Sequence, residues 1–192
     1  MDLKIEPAKT ALVVIDLQRG IVAMPSAPRS STEVVARAAQ MAAALRAAGG
    51  TVVFVHVTPS ADGKDSLKPI TDAPVQTGDR SVPPDWSEIV PELKPEITDI
   101  VITKRQWGAF YGTELDLQLR RRGIDTIILC GISTNVGVES TARDAYERGY
   151  NQVFVEDAMA AREAEDHLHT VRSLFPRIGR VRSTEDVLAA LK

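Results

Sequence analysis

Three places in this sequence could act on a small molecule. Asp16 closes the apolar run TALVVIDL, Lys104 closes DIVITK, and the turn GISTNVG carries Ser133 and Gly137. A carboxylate and an ammonium held together in a closed crevice favour each other's ionised form, and such coupled pairs serve as acid–base machinery. Structural ion pairs carry the same signature, so the placement of the two residues in the fold must decide. Other candidates offer less. Cys130 is the only thiol, but it lies within IILCG before the run ends, where a small buried hydrophobe is the ordinary occupant. His56 within VFVHV reads as a core or pocket-rim histidine, and His167 and His169 in DHLHT, beside acidic residues, read as a solvated helix face. None of the three has a partner at metal-ligand spacing, so no metal is expected.

The elements that must position these residues follow from periodicity. Thr10 to Leu17 is apolar without a break until Asp16, the pattern of a strand buried on both faces of a parallel sheet. Ser30, Ser31 and Thr32 offer N-caps to a helix on which Val34, Val35, Ala38, Met41, Ala42 and Leu45 recur at helical spacing, and Gly49 stops it. TVVFVHV (51–57) is the next strand. Residues 58–98, with seven prolines, read as a long excursion holding one short helix near DWSEIVPEL. Alternation then resumes: DIVITK as a strand, TELDLQLRRRG as a helix, DTIILCGI as a strand and 135–148 as a helix. NQVFVED as a strand, EAEDHLHTVRSLF as a helix, GRVRS and TEDVLAALK complete the series.

About six strands alternating with helices predict an α/β fold, a doubly wound, Rossmann-like parallel sheet with helices on both faces, formed by residues 1–192 as one domain. In such sheets ligands bind beyond the carboxyl ends of the strands near the point where strand order reverses. That rule gathers Asp16, Lys104 and the 131–137 turn into one place.

Composition narrows the partners. A net charge of −3, with 44% apolar and 26% charged residues, offers no basic surface for nucleic acid or an anionic membrane. No apolar run reaches the roughly 18 residues of a membrane span. A lone cysteine and an N-terminus without a basic and apolar leader predict a reduced, cytoplasmic protein.

The segments VVIDLQRG, KRQWGAFYGTELDLQLRRRGIDTIILCGISTNVGVESTARDAYERGY and VFVEDAMAA resemble the isochorismatase-like hydrolases, a family that also holds nicotinamidases and related amidohydrolases. The resemblance runs from about Thr10 to Leu191 and implies the fold already derived. It also implies that Asp16 and Lys104 are the family's catalytic acid and lysine, and that the cysteine nucleophile of its thiol-using members falls on Gly137. By motif position Gln18, Trp107, Phe110, Thr134 and Asn135 would meet substrate, Arg105 would meet a substrate carboxylate, and the Ile132–Ser133 bond would be cis. No cofactor is implied. VHVTPSADG does not reproduce the metal-binding pattern of nicotinamidases, and self-association at least as a homodimer is expected.

Removing the nucleophile from a coupled catalytic set costs on the order of a millionfold in rate, so covalent amidase chemistry at Gly137 is excluded. Glycine keeps its N–H, so the amides of Ser133 and Gly137 could still form an oxyanion pocket. Three readings stay open on the sequence: Asp16 as a general acid, as in vinyl ether hydrolysis releasing pyruvate; Asp16 as a general base activating water; and a ligand-binding relative without turnover.

Overall fold

The computed structural model describes residues 3–72 and 83–192. Six strands form one parallel sheet: β1 (Thr10–Ile15), β2 (Thr51–Val57), β3 (Ile100–Lys104), β4 (Thr126–Ile132), β5 (Asn151–Ala160) and β6 (Arg180–Arg182). Their order in space is β3-β2-β1-β4-β5-β6, so the direction of winding reverses between β1 and β4. Every residue of β1 is buried, as its unbroken apolar run requires. Ala11, Val13 and Ile15 enter one core, and Leu12 and Val14 enter the other.

Helices cover both faces. α1 (Arg19–Val22) is a single turn, and α2 (Ser31–Ala47) packs Val34, Val35, Ala38, Met41 and Leu45 into the Leu12/Val14 core. Its cap is Ser30, whose hydroxyl accepts from Glu33 N–H while the Glu33 carboxylate accepts from Ser30 N–H. Such a reciprocal box satisfies two of the N–H groups that a helix start leaves unpaired. α3 (Leu115–Arg121) and α4 (Glu139–Glu147) cover the opposite face with Leu115, Leu119, Ala142 and Ala145. α5 (Ala164–His169) runs through a π-type turn into α6 (Phe175–Ile178), and α7 (Thr184–Ala190) returns to the α2 side through Val187.

Several boundaries differ from the sequence expectation. The first strand stops at Ile15, and Asp16 follows it in the left-handed region at φ 54°. The helix expected over 135–148 begins instead as a π-type turn, Thr134–Val138, before α4 starts. The short helix expected near DWSEIVPEL is only a turn at Pro84–Ser87 and one 3-10 turn at Pro91–Leu93, because Pro91 inside the segment lacks the N–H that a continuing α-helix would need. Within the 58–98 excursion, residues 73–82, Pro74 among them, lie outside the described residues. No helix among the described residues is long and apolar enough to cross a membrane.

Candidate active site

β1 ends at the reversal of strand order, and its chain then turns sharply. Asp16 N–H still donates to Val55 O (2.9 Å), so the residue is anchored to β2 while its backbone departs from extended geometry. A positive φ is uncommon for a residue with a side chain, though aspartate and asparagine tolerate it best. Strain of this kind persists only where the surroundings enforce it, and such places concentrate at functional sites.

Lys104 arrives from the sheet edge, two strands away. β3 alternates buried and exposed, with Ile100, Ile102 and Lys104 on the buried side, so the lysine follows the inward row of its strand. Lys104 is 2% exposed, and its three N–H bonds are all taken: Asp16 Oδ2 at 2.7 Å, Gln106 O at 3.1 Å and Trp107 O at 2.9 Å. Three acceptors match the three donors of an ammonium, which places a charged lysine beside the carboxylate. Asp16 Oδ1, by contrast, is buried and has no hydrogen-bond partner. Burial pushes the Asp16 carboxyl up, the charge and hydrogen bond of Lys104 and the proximity of His56 pull it down, and it settles at about 6. Desolvation therefore outweighs the ammonium.

The third side of the site comes from β4. Gly131 stands at φ 125° where the register with β5 shifts, and a Cβ there would lie 2.1 Å from Ile15 O, so only glycine fits between the two strand ends. The Ile132–Ser133 bond is cis. Beyond it the chain closes on itself, Ser133 O accepting from the N–H of Val136 and Val138. Gly137 follows, and a Cβ at that position would stand 3.0 Å from Asp16 Oδ2 and 3.6 Å from Lys104 Nζ. Position 137 thus faces the acid–lysine pair directly, and the glycine leaves space there.

A cavity of about 400 Å³ opens over this group. Asp16, Lys104, Ser133 and Gly137 lie in its wall together with Arg105, Gln106 and Trp107, and Ile21, Met24, Val57, Leu67, Ile132 and Val136 make the rest of it apolar. A recess of about 470 Å³ between α1 and Trp86 is larger but contains neither member of the pair.

Of the other residues expected to meet substrate, Trp107 lines the cavity and is 63% exposed. Arg105 lines it too, with its guanidinium on Asp65 (2.7 Å) and Thr58 O. Gln18 does not line it. It is fully buried and ties β1 to β2 by accepting from Val57 N–H (2.8 Å) and donating to Val57 O and Trp86 O. Phe110 belongs to the core, against Tyr150, and Thr134 is buried with its hydroxyl on His167 Nδ1 (2.8 Å). Asn135 is half-buried in the turn and does not line the cavity.

His167 is a correction. It is buried, not solvated, because its helix turns that side onto the Thr134 turn, and burial pushes its imidazole down to about 4. His56 is held between Ser87 O and Thr103 Oγ1, both at 2.7 Å, and Cys130 is buried with its thiol pushed far up by desolvation. Among the described residues no group of three histidine, cysteine or acidic side chains is arranged to hold a metal ion. Thr141 went unnoticed in the sequence. Its hydroxyl donates to Gly137 O (2.7 Å) and accepts from Ala109 N–H (3.1 Å), joining the Gly137 turn to the loop whose carbonyls hold Lys104.

Known proteins resemble this chain over most of its length. The family model described as "Isochorismatase domain" matches residues 10–186. The uncharacterized isochorismatase family protein YwoC of Bacillus subtilis (strain 168) is 53% identical over 190 residues, 99% of this chain and 98% of that protein. A ureidoacrylate amidohydrolase of Variovorax paradoxus (strain S110) is 32% identical over 177 residues, 81% of this chain and 70% of that protein. A solved isochorismatase family protein of Burkholderia thailandensis superposes with a TM-score of 0.92 at 47% identity, covering 98% of this chain and 97% of that one. The chain belongs to the isochorismatase family and is a hydrolase of that family.

Proposed function

We propose that this hydrolase acts on a small anionic or carbonyl-containing metabolite through Asp16 and Lys104, without a covalent intermediate. The observation that carries the reading is the buried pair itself, 2.7 Å apart in the wall of a cavity, with Gly137 leaving open the space where a nucleophile would stand.

The protonation chemistry favours Asp16 as a general acid. A carboxyl at about 6 holds its proton in about one molecule in ten at pH 7, far more often than an ordinary aspartate, and a catalytic group is most effective when its pKa lies near the working pH. Lys104 engages Oδ2, so Oδ1 is the oxygen that carries the transferable proton. Its transfer to the β-carbon of an enol ether generates an oxocarbenium ion at the neighbouring, oxygen-bearing carbon; water adds to that oxygen-bearing carbon and gives a proton back to the Asp16 carboxylate, and the resulting hemiketal collapses to a carbonyl product and an alcohol. The ammonium stabilises the carboxylate left behind. Where the substrate is instead a carbonyl compound attacked by water, the amides of Ser133 and Gly137 serve as donors to the developing oxyanion.

A second reading is favoured by the amidohydrolase relative: Asp16, ionised, takes a proton from water as the water attacks an amide carbonyl. The two readings predict opposite pH limbs. As an acid, Asp16 loses activity as pH rises through about 6; as a base, it loses activity as pH falls through about 6. The reading also takes the protein to be a cytoplasmic homodimer or higher homo-oligomer, which light scattering in solution tests. The main experiment is a mass-spectrometric screen of vinyl ethers, amides and esters of small acids, followed by the pH profile on whatever is turned over. Asp16→Asn turning over that substrate as well as the parent would refute the assignment.

A further inference from the structure

Two of the three acceptors that hold the Lys104 ammonium, Gln106 O and Trp107 O, belong to a segment with no regular structure. Residues 105–113 form neither helix nor strand, and the one backbone hydrogen bond within them runs from Thr113 N–H to Phe110 O. The shape of this loop therefore depends on side chains. We infer that Gln106 is the positioning residue for the acid–lysine pair: its side-chain amide fixes the loop whose carbonyls seat Lys104 against Asp16. The inference deepens the proposed function and rests on it for the role of the pair.

The hydrogen bonds of the amide carry the argument. Gln106 Nε2 donates to Gly108 O at 3.0 Å and also to Tyr111 O. The first bond closes a ring through the Gln106–Trp107 and Trp107–Gly108 peptides, whose carbonyls are the two that accept from Lys104, so neither can rotate away without breaking it. The second ties that ring to the far side of the loop. A primary amide has two N–H donors and both are used; reversing it would set Oε1 against two carbonyl oxygens, so its orientation is fixed. Lys104 is 2% exposed, and a buried ammonium that loses two of its three acceptors is costly. The neighbouring charges are already engaged. Arg105 is paired with Asp65 at 2.7 Å, and Asp144, which borders Gly108 from α4, is paired with Arg148 at 3.0 Å. Besides Lys104, the group that acts on Asp16 is His56 on β2. Loosening the ring therefore weakens the hold of Lys104 on the carboxylate, and the titration of Asp16 reports it.

The test follows that titration by NMR of the carboxyl carbon in protein labelled with carbon-13 aspartate, with Asp16→Asn to assign the signal. Gln106→Met keeps the length of the side chain and removes both donors. The midpoint of Asp16 should then rise from about 6 to about 7, the size of one hydrogen bond to a charged group. Gln106→Asn, which keeps both donors on a shorter arm, should shift it less, and Gln106→Ala gives the same reading as methionine if that variant does not fold. Thr113→Val removes the hydroxyl that donates to Ala109 O in the same loop, so it should lower stability to urea and leave the midpoint in place. An unmoved midpoint in Gln106→Met overturns the inference. So does an equal shift in Thr113→Val, which would make Gln106 one of several residues that only stabilise the loop. No substrate enters this measurement, so turnover by Asp16→Asn would sink the acid–base reading without touching the result for Gln106.

Discussion

Replacing Asp16 with asparagine should make the protein more stable at alkaline pH and leave its stability unchanged in acid. The folded carboxyl titrates at about 6 against an ordinary aspartate value of 3.8. A group whose folded pKa is raised contributes stability that is complete below the unfolded pKa and is lost as pH rises through the folded one. Here the window runs from about pH 4 to about pH 6, and at about 1.4 kcal/mol per unit the loss amounts to about 3 kcal/mol. Asparagine mimics the neutral acid at every pH, its carbonyl can still accept from Lys104, and it tolerates the left-handed backbone at φ 54° at least as well. The variant should therefore gain about 3 kcal/mol over wild type at pH 8, about 6–12 °C in Tm for a domain of this size. The gain should shrink to nothing by pH 4. The difference between the two proteins must be measured, since His167, held neutral down to about 4 from an ordinary 6.5, destabilises the fold in acid over nearly the same window and masks the effect in wild type alone. Chemical denaturation at pH 4, 6 and 8 provides the assay. A gain that does not change with pH, or a loss at pH 8, would refute the claim that burial outweighs the ammonium.

The remaining expectations concern the neighbours of that carboxyl. Lys104→Met removes both of the influences of Lys104 that lower the Asp16 pKa, so in any activity that survives, the pH midpoint should move above 6; an unmoved midpoint would show that the two do not communicate. Gly137→Ala places a methyl 3.0 Å from Asp16 Oδ2 and from Ile15 Cγ2, so it should fold with a loss of about 1–3 kcal/mol and lower kcat more than it raises KM; unchanged kinetics would mean that the space is not used. Thr141→Val leaves the buried Ala109 N–H without its acceptor, at a cost of about 1–3 kcal/mol, and should shift the pH midpoint, with Thr141→Ser restoring both; a stability loss with an unshifted midpoint would limit Thr141 to a structural role.

How far the site was legible depends on what each residue's neighbours in sequence reveal. β1, β2 and β4 announce themselves because strands buried on both faces must be continuously apolar, and the strand-end rule then places Asp16 and Gly137 together. The same rule gathered Lys104, and the structure adds that burial alternates along IVITK, which puts the lysine on the inward row. The misplaced residues share a cause. Gln18, Phe110 and Thr134 sit within a few residues of the site in sequence, yet their side chains turn to Val57, Tyr150 and His167, partners 39, 40 and 33 residues away, and no local pattern encodes such a choice. His167 misled because acidic neighbours made its helix look solvated all round, whereas only one side of that turn is.

Gly137 and the Asp16 carboxyl are best understood as one adaptation. A thiol at position 137 would project from a Cβ only 3.0 Å from Asp16 Oδ2, close enough for the carboxylate to take its proton, and that role needs an ionised acid. With glycine there, no side chain at 137 presents a proton to Asp16 Oδ2, which Lys104 still holds, and the other oxygen, Oδ1, is buried without a hydrogen-bond partner among the described residues. An unpaired carboxylate oxygen is costly to bury, and protonation of the carboxyl removes the buried charge. Burial holds the titration of the acid at about 6, so on the acid reading the reagent that this site would bring to a substrate is the Asp16 proton.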